Sequence, residues 1–298
     1  MTIQNVTVLG SGTMGAGIAQ TAIVAGFDTT LYDIEDGLLE KARAQISKRM
    51  DRQVEKGRLD APRAAEAMGR LSTSSDLDAA VKEADYLIEA VPEKLELKRE
   101  IFGRCEGSAP AHCVFGTNTS TLMISSIAES LSDKGRLIGI HFFNPVPVMK
   151  LIEVVMGPDS SNTSYVATLE VAQKMRKETV KVAESPGFTT SRINALIGNE
   201  SFRMLEAGVA SASDIDKALK LGLNHPMGPF EMVDLVGLDA RLNNLRALYA
   251  ALGDEAYRPS PLLERLVEDG RLGRKSGQGV YRYDDSGQRI VGSDDVSP

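Results

Sequence analysis

The stretch Val6-Thr7-Val8-Leu9-Gly10-Ser11-Gly12-Thr13-Met14-Gly15 decides the reading of the N-terminal half. Its first four residues have the apolar, β-branched character of a strand, and a G-x-G-x-x-G follows at once. Residues 18–25 continue as a buried helix. In such a strand-turn-helix each glycine has a physical task. Gly10 permits the tight turn, Gly12 lets backbone approach a pyrophosphate, and Gly15 lets helix pack on strand, while the helix N-terminus presents amides to phosphate oxygens. Met14 lies in the same turn.

The motif requires an acid at the end of the next strand. Asp28-Thr29-Thr30-Leu31-Tyr32 reads as that strand, and Asp33 closes it. A carboxylate there accepts hydrogen bonds from both ribose hydroxyls and repels a 2′-phosphate. No arginine follows in Ile34-Glu35-Asp36, so the pairing predicts NAD rather than NADP.

Further strands are expected at Tyr86-Leu87-Ile88, Val114-Phe115, Leu137-Ile138-Gly139-Ile140 and Leu151-Ile152-Glu153-Val154-Val155, the last in the domain. Helical stretches lie at residues 37–55, 95–105 and about 163–174. This alternation predicts βαβ units on a parallel sheet. Beyond Ser185-Pro186-Gly187 the apolar residues Ile193, Leu196, Ile197 and Leu205 fall at helical spacing, and strand-like runs largely disappear. The expected architecture is an α/β Rossmann-type doubly wound domain over residues 1–184, then an all-α C-terminal domain over 185–298. Ser213 is a candidate N-cap there, and the last dozen residues read as a frayed polar end.

Composition narrows the chemistry. The 298 residues are 42% hydrophobic and 25% charged, which excludes disordered and collagen-like classes. A net charge of -7 without a long run of Lys and Arg argues against nucleic acid. No stretch of 18 apolar residues suggests a membrane span. The chain's opening lacks the layout of a signal peptide, and a cytoplasmic protein is expected. Three histidines and two cysteines offer no C-x-x-C and no H-x-x-x-H, so no metal site is expected. Cys105 and Cys113 read as buried free thiols, His112 as an exposed loop residue and His225 as a turn residue.

That leaves His141, in His141-Phe142-Phe143-Asn144-Pro145, at the carboxyl end of a strand where open α/β sheets bind ligands. An imidazole suits a base working near neutral pH. Glu153, between Leu151-Ile152 and Val154-Val155, is costly to bury without a partner. Exposure on an edge strand is the alternative.

At this point the sequence resembles the L-3-hydroxyacyl-CoA dehydrogenase family and its short-chain members. The resemblance rests on Gly10 to Gly15, Glu89-Ala90-Val91-Pro92-Glu93, Asn118-Thr119-Ser120, His141 to Pro145, Lys150 to Glu153, Pro226-Met227-Gly228-Pro229-Phe230 and Gly273-Arg274-Lys275-Ser276-Gly277. These blocks run in the family's order over essentially the whole chain. It implies reversible NAD-dependent oxidation of an L-3-hydroxyacyl-CoA to the 3-oxoacyl-CoA, as in fatty acid β-oxidation, with the substrate lodged between the two domains.

By that resemblance His141 is the base, Glu153 orients it, and Ser120 hydrogen-bonds the reacting oxygen. Thr119, Ser120 and Thr121 equally suit the cap of a helix starting near Leu122. The resemblance also places Ala90, Glu93, Lys98 and Asn144 at the cofactor, although Lys98 also suits a solvated helix face. Where most members carry Gly-Phe-x-x-Asn-Arg, this chain has Gly187-Phe188-Thr189-Thr190-Ser191-Arg192, which puts Ser191 beside the substrate carbonyl and leaves acyl preference open. CoA phosphates would meet the basic stretch Lys48, Arg49, Arg52, Lys56 and Arg58. Family members commonly pair as homodimers through the helical domain. The alternatives are a 3-hydroxyadipyl-CoA dehydrogenase, a lysine-dependent β-hydroxyacid dehydrogenase and a noncatalytic NADH-binding protein.

Overall fold

The computed structural model describes residues 2–290 together with Gly292 and Val296. Two compact units divide between Ser185 and Pro186. The first runs β1 (Asn5–Leu9), α1 (Thr13–Val24), β2 (Asp28–Tyr32), α2 (Asp36–Glu55), α3 (Ala61–Gly69), β3 (Leu71–Ser74), α4 (Leu77–Val81) and β4 (Tyr86–Glu89). It continues through α5 (Leu95–Ser108), β5 (Val114–Thr117), α6 (Ile124–Ala128), β6 (Leu137–Phe142), β7 (Leu151–Met156), α7 (Asn162–Lys174) and β8 (Glu178–Ala183).

The eight strands form one sheet in the order β3-β2-β1-β4-β5-β6-β7-β8. Strand order reverses beside β1, where an α/β sheet opens its ligand crevice. Val8, Ile18, Leu31, Ile88, Ile138 and Val154 are fully buried between sheet and helices. Burying each contributes about 1.5–3 kcal/mol.

Three expectations change. The sheet is not wholly parallel, because β7 runs antiparallel to β6, with His141 opposite Glu153 and Phe142 opposite Ile152. β3 and β8 were not foreseen. They are the two edges of the sheet, and Leu71-Ser72-Thr73-Ser74 and Glu178-Thr179-Val180-Lys181-Val182-Ala183 carry only partial burial, so neither shows the continuous apolar run of a central strand.

The second unit contains α8 (Thr190–Glu206), α9 (Ala212–Gly222), α10 (Pro229–Val236), α11 (Leu238–Leu252) and α12 (Pro261–Glu268). Its core gathers Phe202, Phe230, Val233, Leu238, Leu245 and Leu263, with the Phe202 and Phe230 rings edge to face at 5.1 Å. The N-cap of α9 is Ser211, whose Oγ accepts from the Asp214 amide at 3.1 Å, rather than Ser213.

Two buried aspartates knit this unit to its terminal segment. Asp216 accepts from the Phe230 amide at 2.8 Å and the Tyr281 hydroxyl at 2.7 Å. Asp234 accepts from the amides of Val280 and Tyr281 and from the Tyr283 hydroxyl, at 2.8–2.9 Å. These bonds explain two glycines, one inside the Pro226 to Phe230 block and one just past the Gly273 to Gly277 block. A Cβ on Gly228 would lie 2.3 Å from Asp216 Cγ, and one on Gly279 2.1 Å from Asp234 Oδ1. Of the last dozen residues, 291, 293–295 and 297–298 lie outside the described ones, whereas Ile290 donates its amide to the Arg282 carbonyl at 2.9 Å.

Candidate active site

The turn between β1 and α1 leaves no room for side chains at two of its glycines. Gly10 has φ +95°, and a Cβ there would lie 2.8 Å from the Ala90 carbonyl oxygen. A Cβ on Gly15 would lie 1.7 Å from the Gly10 carbonyl oxygen. Gly12 is different, with nothing within 4 Å of an added Cβ. Its backbone faces a cleft of about 710 Å³ lined by Gly10 to Met14, Asp33 and Ala90 among others.

Asp33 is pre-set at this cleft. Its Oδ2 accepts from the Ser11 amide at 2.7 Å and from the Ser11 hydroxyl at 2.6 Å, and Oδ1 accepts from the Ile34 amide at 2.8 Å. The dinucleotide motif thus closes on itself through a residue, Ser11, that the motif leaves unspecified. Sequence reasoning also missed Ile34, Leu38, Lys41 and Gln45 on the cleft wall. Ile34 is 73% exposed and Leu38 41%, unusual for large apolar residues at a helix start. Ile34 just ahead of α2 and Leu38 in its first turn, four residues apart, were the available signal.

At the far end of the sheet, β6 and β7 create a second constellation. Antiparallel register sets His141 directly opposite Glu153, so both side chains rise from the same face. His141 Nδ1 lies 2.7 Å from Glu153 Oε2. Glu153 is fully buried on an internal strand, not exposed on an edge, and His141 is 8% exposed. The Phe143 ring sits 4.5 Å from the imidazole.

A third group links the ends of β4 and β5. Lys98 is completely buried on α5, so it is not part of a solvated helix face. Its Nζ donates to Glu89 Oε1 at 2.7 Å, Glu89 Oε2 at 2.9 Å and the Asn118 carbonyl at 3.2 Å, and it lies 3.4 Å from Glu93 Oε2. Burial pushes the Glu89 carboxyl upward against the pull of Lys98. Burial acts the same way on Glu93, yet Lys98 and several donors hold that carboxyl below its usual range.

Glu93 ties down the loop that carries Ser120. Its Oε1 accepts from Thr119 Oγ1 at 2.6 Å and from the Ser120 amide at 3.0 Å. Thr119 Oγ1 in turn accepts from the Leu122 amide at 2.9 Å, closing a turn ahead of α6, which starts at Ile124 rather than near Leu122. The Ser120 hydroxyl caps nothing and has no partner among the described residues. Asn118 joins this loop to the histidine strand, since its Oδ1 accepts from the Phe142 amide at 3.0 Å.

The remaining candidates lie elsewhere. Asn144 is exposed just past β6, Lys56 is exposed at the C-terminal cap of α2, and Ser191 is half-buried in the first turn of α8. His112 pairs with Asp85 at 3.1 Å on the surface. Cys105 and Cys113 are buried free thiols, both pushed up to about 12 by burial.

Residues 5–185 match the model of the 3-hydroxyacyl-CoA dehydrogenase NAD-binding domain, and residues 187–283 match that of the 3-hydroxyacyl-CoA dehydrogenase C-terminal domain. The chain belongs to the 3-hydroxyacyl-CoA dehydrogenase family. It is accordingly an NAD-dependent oxidoreductase with an acyl-CoA substrate, and the lysine-dependent and noncatalytic alternatives fall away. It is 40% identical over 285 residues to a probable 3-hydroxybutyryl-CoA dehydrogenase of Bacillus subtilis, covering 96% of this chain and 99% of that one. The mitochondrial hydroxyacyl-coenzyme A dehydrogenase of Rattus norvegicus is 38% identical over 287 residues, covering 94% and 91%. Among solved structures, (S)-3-hydroxybutyryl-CoA dehydrogenase from Ralstonia eutropha superposes with a TM-score of 0.93 at 38% identity, covering 95% of this chain and 100% of that one. No helix among the described residues is long and apolar enough to cross a membrane.

Proposed function

We propose that this dehydrogenase oxidises short-chain L-3-hydroxyacyl-CoA, such as 3-hydroxybutyryl-CoA, to 3-oxoacyl-CoA, with His141 as the base. The carrying observation is the 2.7 Å contact between His141 Nδ1 and the fully buried Glu153. A carboxylate on Nδ1 keeps the proton there, so Nε2 is the nitrogen that takes the substrate's hydroxyl proton. Glu153 then stabilises the imidazolium and fixes the ring. NAD, when bound, accepts the hydride from the same carbon. In reverse, the imidazolium returns its proton to the carbonyl oxygen. The Ser120 hydroxyl, held in place through Glu93, donates to that oxygen.

The residues fit the cofactor. Gly10, Gly12, Met14 and Gly15 shape the pyrophosphate turn, Asp33 takes the ribose hydroxyls, and Ile34 and Leu38 supply apolar cover for adenine. Ala90 borders the same cleft. Glu93, Lys98 and Asn144 belong to the nicotinamide side of this reading. Lys98 acts from within, through Glu93 and Asn118. Ser191 donates to the thioester carbonyl, and Lys56 with its exposed basic neighbours receives CoA phosphate. Exposed apolar residues of the second unit, Leu221 at 77%, Val209 at 67% and Leu223 at 66%, support a homodimer through that unit. Two free cysteines accord with work in the cytoplasm.

Steady-state oxidation of 3-hydroxyacyl-CoAs of graded length, under NAD and under NADP, tests this reading. We expect turnover of the short chains with NAD and at least 100-fold lower efficiency with NADP. Absence of turnover on every acyl-CoA would overturn it, and equal efficiency with NADP would overturn the role of Asp33.

A further inference from the structure

The turn that follows Asn144 is held from a distance. Residues 145–149 close a single turn past the end of β6, in which the Pro145 carbonyl accepts from the amides of Val148 and Met149 at 2.9 and 3.0 Å. Lys177, just ahead of β8, reaches this turn and donates its Nζ to the carbonyls of Val146 and Met149, at 2.6 Å each. Carbonyls at the end of one helical turn have no amide of their own to accept from, and an ammonium brings them donors and positive charge together. No carboxylate among the described residues pairs with Lys177, and burial lowers its pKa. A part-buried ammonium that meets only carbonyls is a costly way to fasten a surface turn.

The backbone of the lysine is fixed as firmly as its ammonium. α7 ends on Arg176 at φ +56°, a conformation that residues other than glycine seldom adopt. The Lys177 amide donates to the Ala172 carbonyl and the Arg176 amide to the Gln173 carbonyl, both at 2.9 Å, which turns the chain into β8. The turn it holds also rests on α1. Val146 is buried there, and a Cβ added to Gly17 would lie 3.1 Å from Val146 Cβ. Asn144, by contrast, is exposed, and its side chain makes no hydrogen bond among the described residues. Its place is therefore set through the backbone: by Phe142 on one side, bonded to Asn118, and by the turn on the other.

We propose that Lys177 is a positioning residue of the cofactor site, acting through the turn at 145–149 to hold Asn144 where it meets the nicotinamide side of NAD. The inference rests on the role given to Asn144 above. Lys177 itself touches neither cofactor nor substrate, and no bond is made or broken at it.

The test measures the Kd of NADH by fluorescence titration, and KM for acetoacetyl-CoA, on the full-length enzyme. The variants are Lys177→Met, Lys177→Arg, Asn144→Ala and the double variant Lys177→Met with Asn144→Ala, each melted to show that it is folded at the assay temperature. Lys177→Met removes two hydrogen bonds from a charged donor, so it should raise the NADH Kd about 10-fold and leave the acetoacetyl-CoA KM within about two-fold. Lys177→Arg should recover part of the loss, because a guanidinium also donates to carbonyls. Asn144→Ala should weaken NADH about as much as Lys177→Met. The double variant should then bind no more than about three-fold worse than either single one, because residues acting through one contact are not additive. An unchanged Kd in Lys177→Met, beside a raised one in Asn144→Ala, overturns the proposal and leaves the reading of Asn144 standing. Losses that multiply in full in the double variant overturn it too, since Lys177 would then act by another route. An unchanged Kd in Asn144→Ala overturns the reading of Asn144 and the proposal with it. If Lys177→Met does not fold, Lys177→Arg alone and combined with Asn144→Ala carries the same comparison.

Discussion

In the N-terminal unit, Glu153 and Glu89 are fully buried against a histidine and a lysine, at 2.7 Å in each case. In the C-terminal unit, Asp216 and Asp234 are buried to the same degree, but their carboxylates are held by backbone amides and tyrosine hydroxyls. The chemical type is the same and the partners differ. Neutral donors satisfy the geometry of a carboxylate without cancelling its charge; burial pushes Asp216 up to about 6 and raises Asp234 as well, as it raises Glu89 even beside Lys98. Such acids lock loops together. A buried acid against a titratable base does something else: it sets which nitrogen carries the proton and stabilises the charged form. Burial alone therefore does not mark a reactive carboxylate; the partner's chemistry does.

The largest effect should come from removing the base. His141→Gln keeps size and polarity but cannot accept the hydroxyl proton, and kcat for acetoacetyl-CoA reduction should fall by about 10³-fold, within the range for a general acid-base group. NADH binding, read by fluorescence titration, should survive. Glu153→Gln should cost less in turnover, because the imidazole remains. If Asp234→Asn, assayed at a temperature where it is folded, cost as much in kcat as Glu153→Gln, the division between the two regions would break down.

Stability should show the opposite pattern. Asp234→Ala leaves the Val280 and Tyr281 amides and the Tyr283 hydroxyl without their acceptor, so unfolding free energy should drop by about 2–4 kcal/mol. Chemical denaturation followed by far-UV circular dichroism measures this directly. A loss below about 0.5 kcal/mol would mean that water replaces the carboxylate freely and that the aspartate is no lock.

The pH response of the same region follows in sign. Asp216 is raised from 3.8 to about 6 in the folded chain, so between those values the folded state binds more protons than the unfolded state. Stability contributed by this group is therefore present in full below pH 4 and is lost as pH rises through about 6. The amplitude is of order 1–3 kcal/mol. Asp216→Asn should flatten that part of the stability curve. A slope of the other sign in the wild type would show that Tyr281 and the two amides favour the charged form more strongly than burial opposes it.

Much of this was legible in the sequence, and the exceptions share a cause. The turn at Gly10 to Gly15, Asp33 and the central strands carry local signals, because a tight turn needs glycine and a central strand is mostly apolar. Strands β3 and β8 are edges with one flank open, so polar residues interrupt them. The antiparallel turn of β7 leaves no trace in its own residues, although it alone puts Glu153 opposite His141. Lys98 was ambiguous because a buried lysine on a helix looks like a solvated one until Glu89 and Glu93 are folded around it. Asp216 and Asp234 escaped notice since their partners lie 65 and 49 residues away at most.

The smallest expected effect lies in the cofactor turn. Ser11 donates both its amide and its hydroxyl to Asp33 Oδ2, at 2.7 and 2.6 Å, so one side chain restrains the carboxylate that discriminates the ribose. Ser11→Ala removes the hydroxyl and leaves the amide. A hydrogen bond of this kind nets about 1 kcal/mol because water can replace part of it. The KM for NAD should then rise roughly five-fold, with the preference over NADP shrinking by a similar factor. Like the C-terminal aspartates, Asp33 is fixed by neutral donors; unlike them it keeps an open side toward a cleft, so its restraint is read out as ligand preference and not as stability. An unchanged melting temperature together with a shifted NAD to NADP ratio would support that distinction. A lowered melting temperature with an unshifted ratio would make Ser11 and Asp33 one more structural lock.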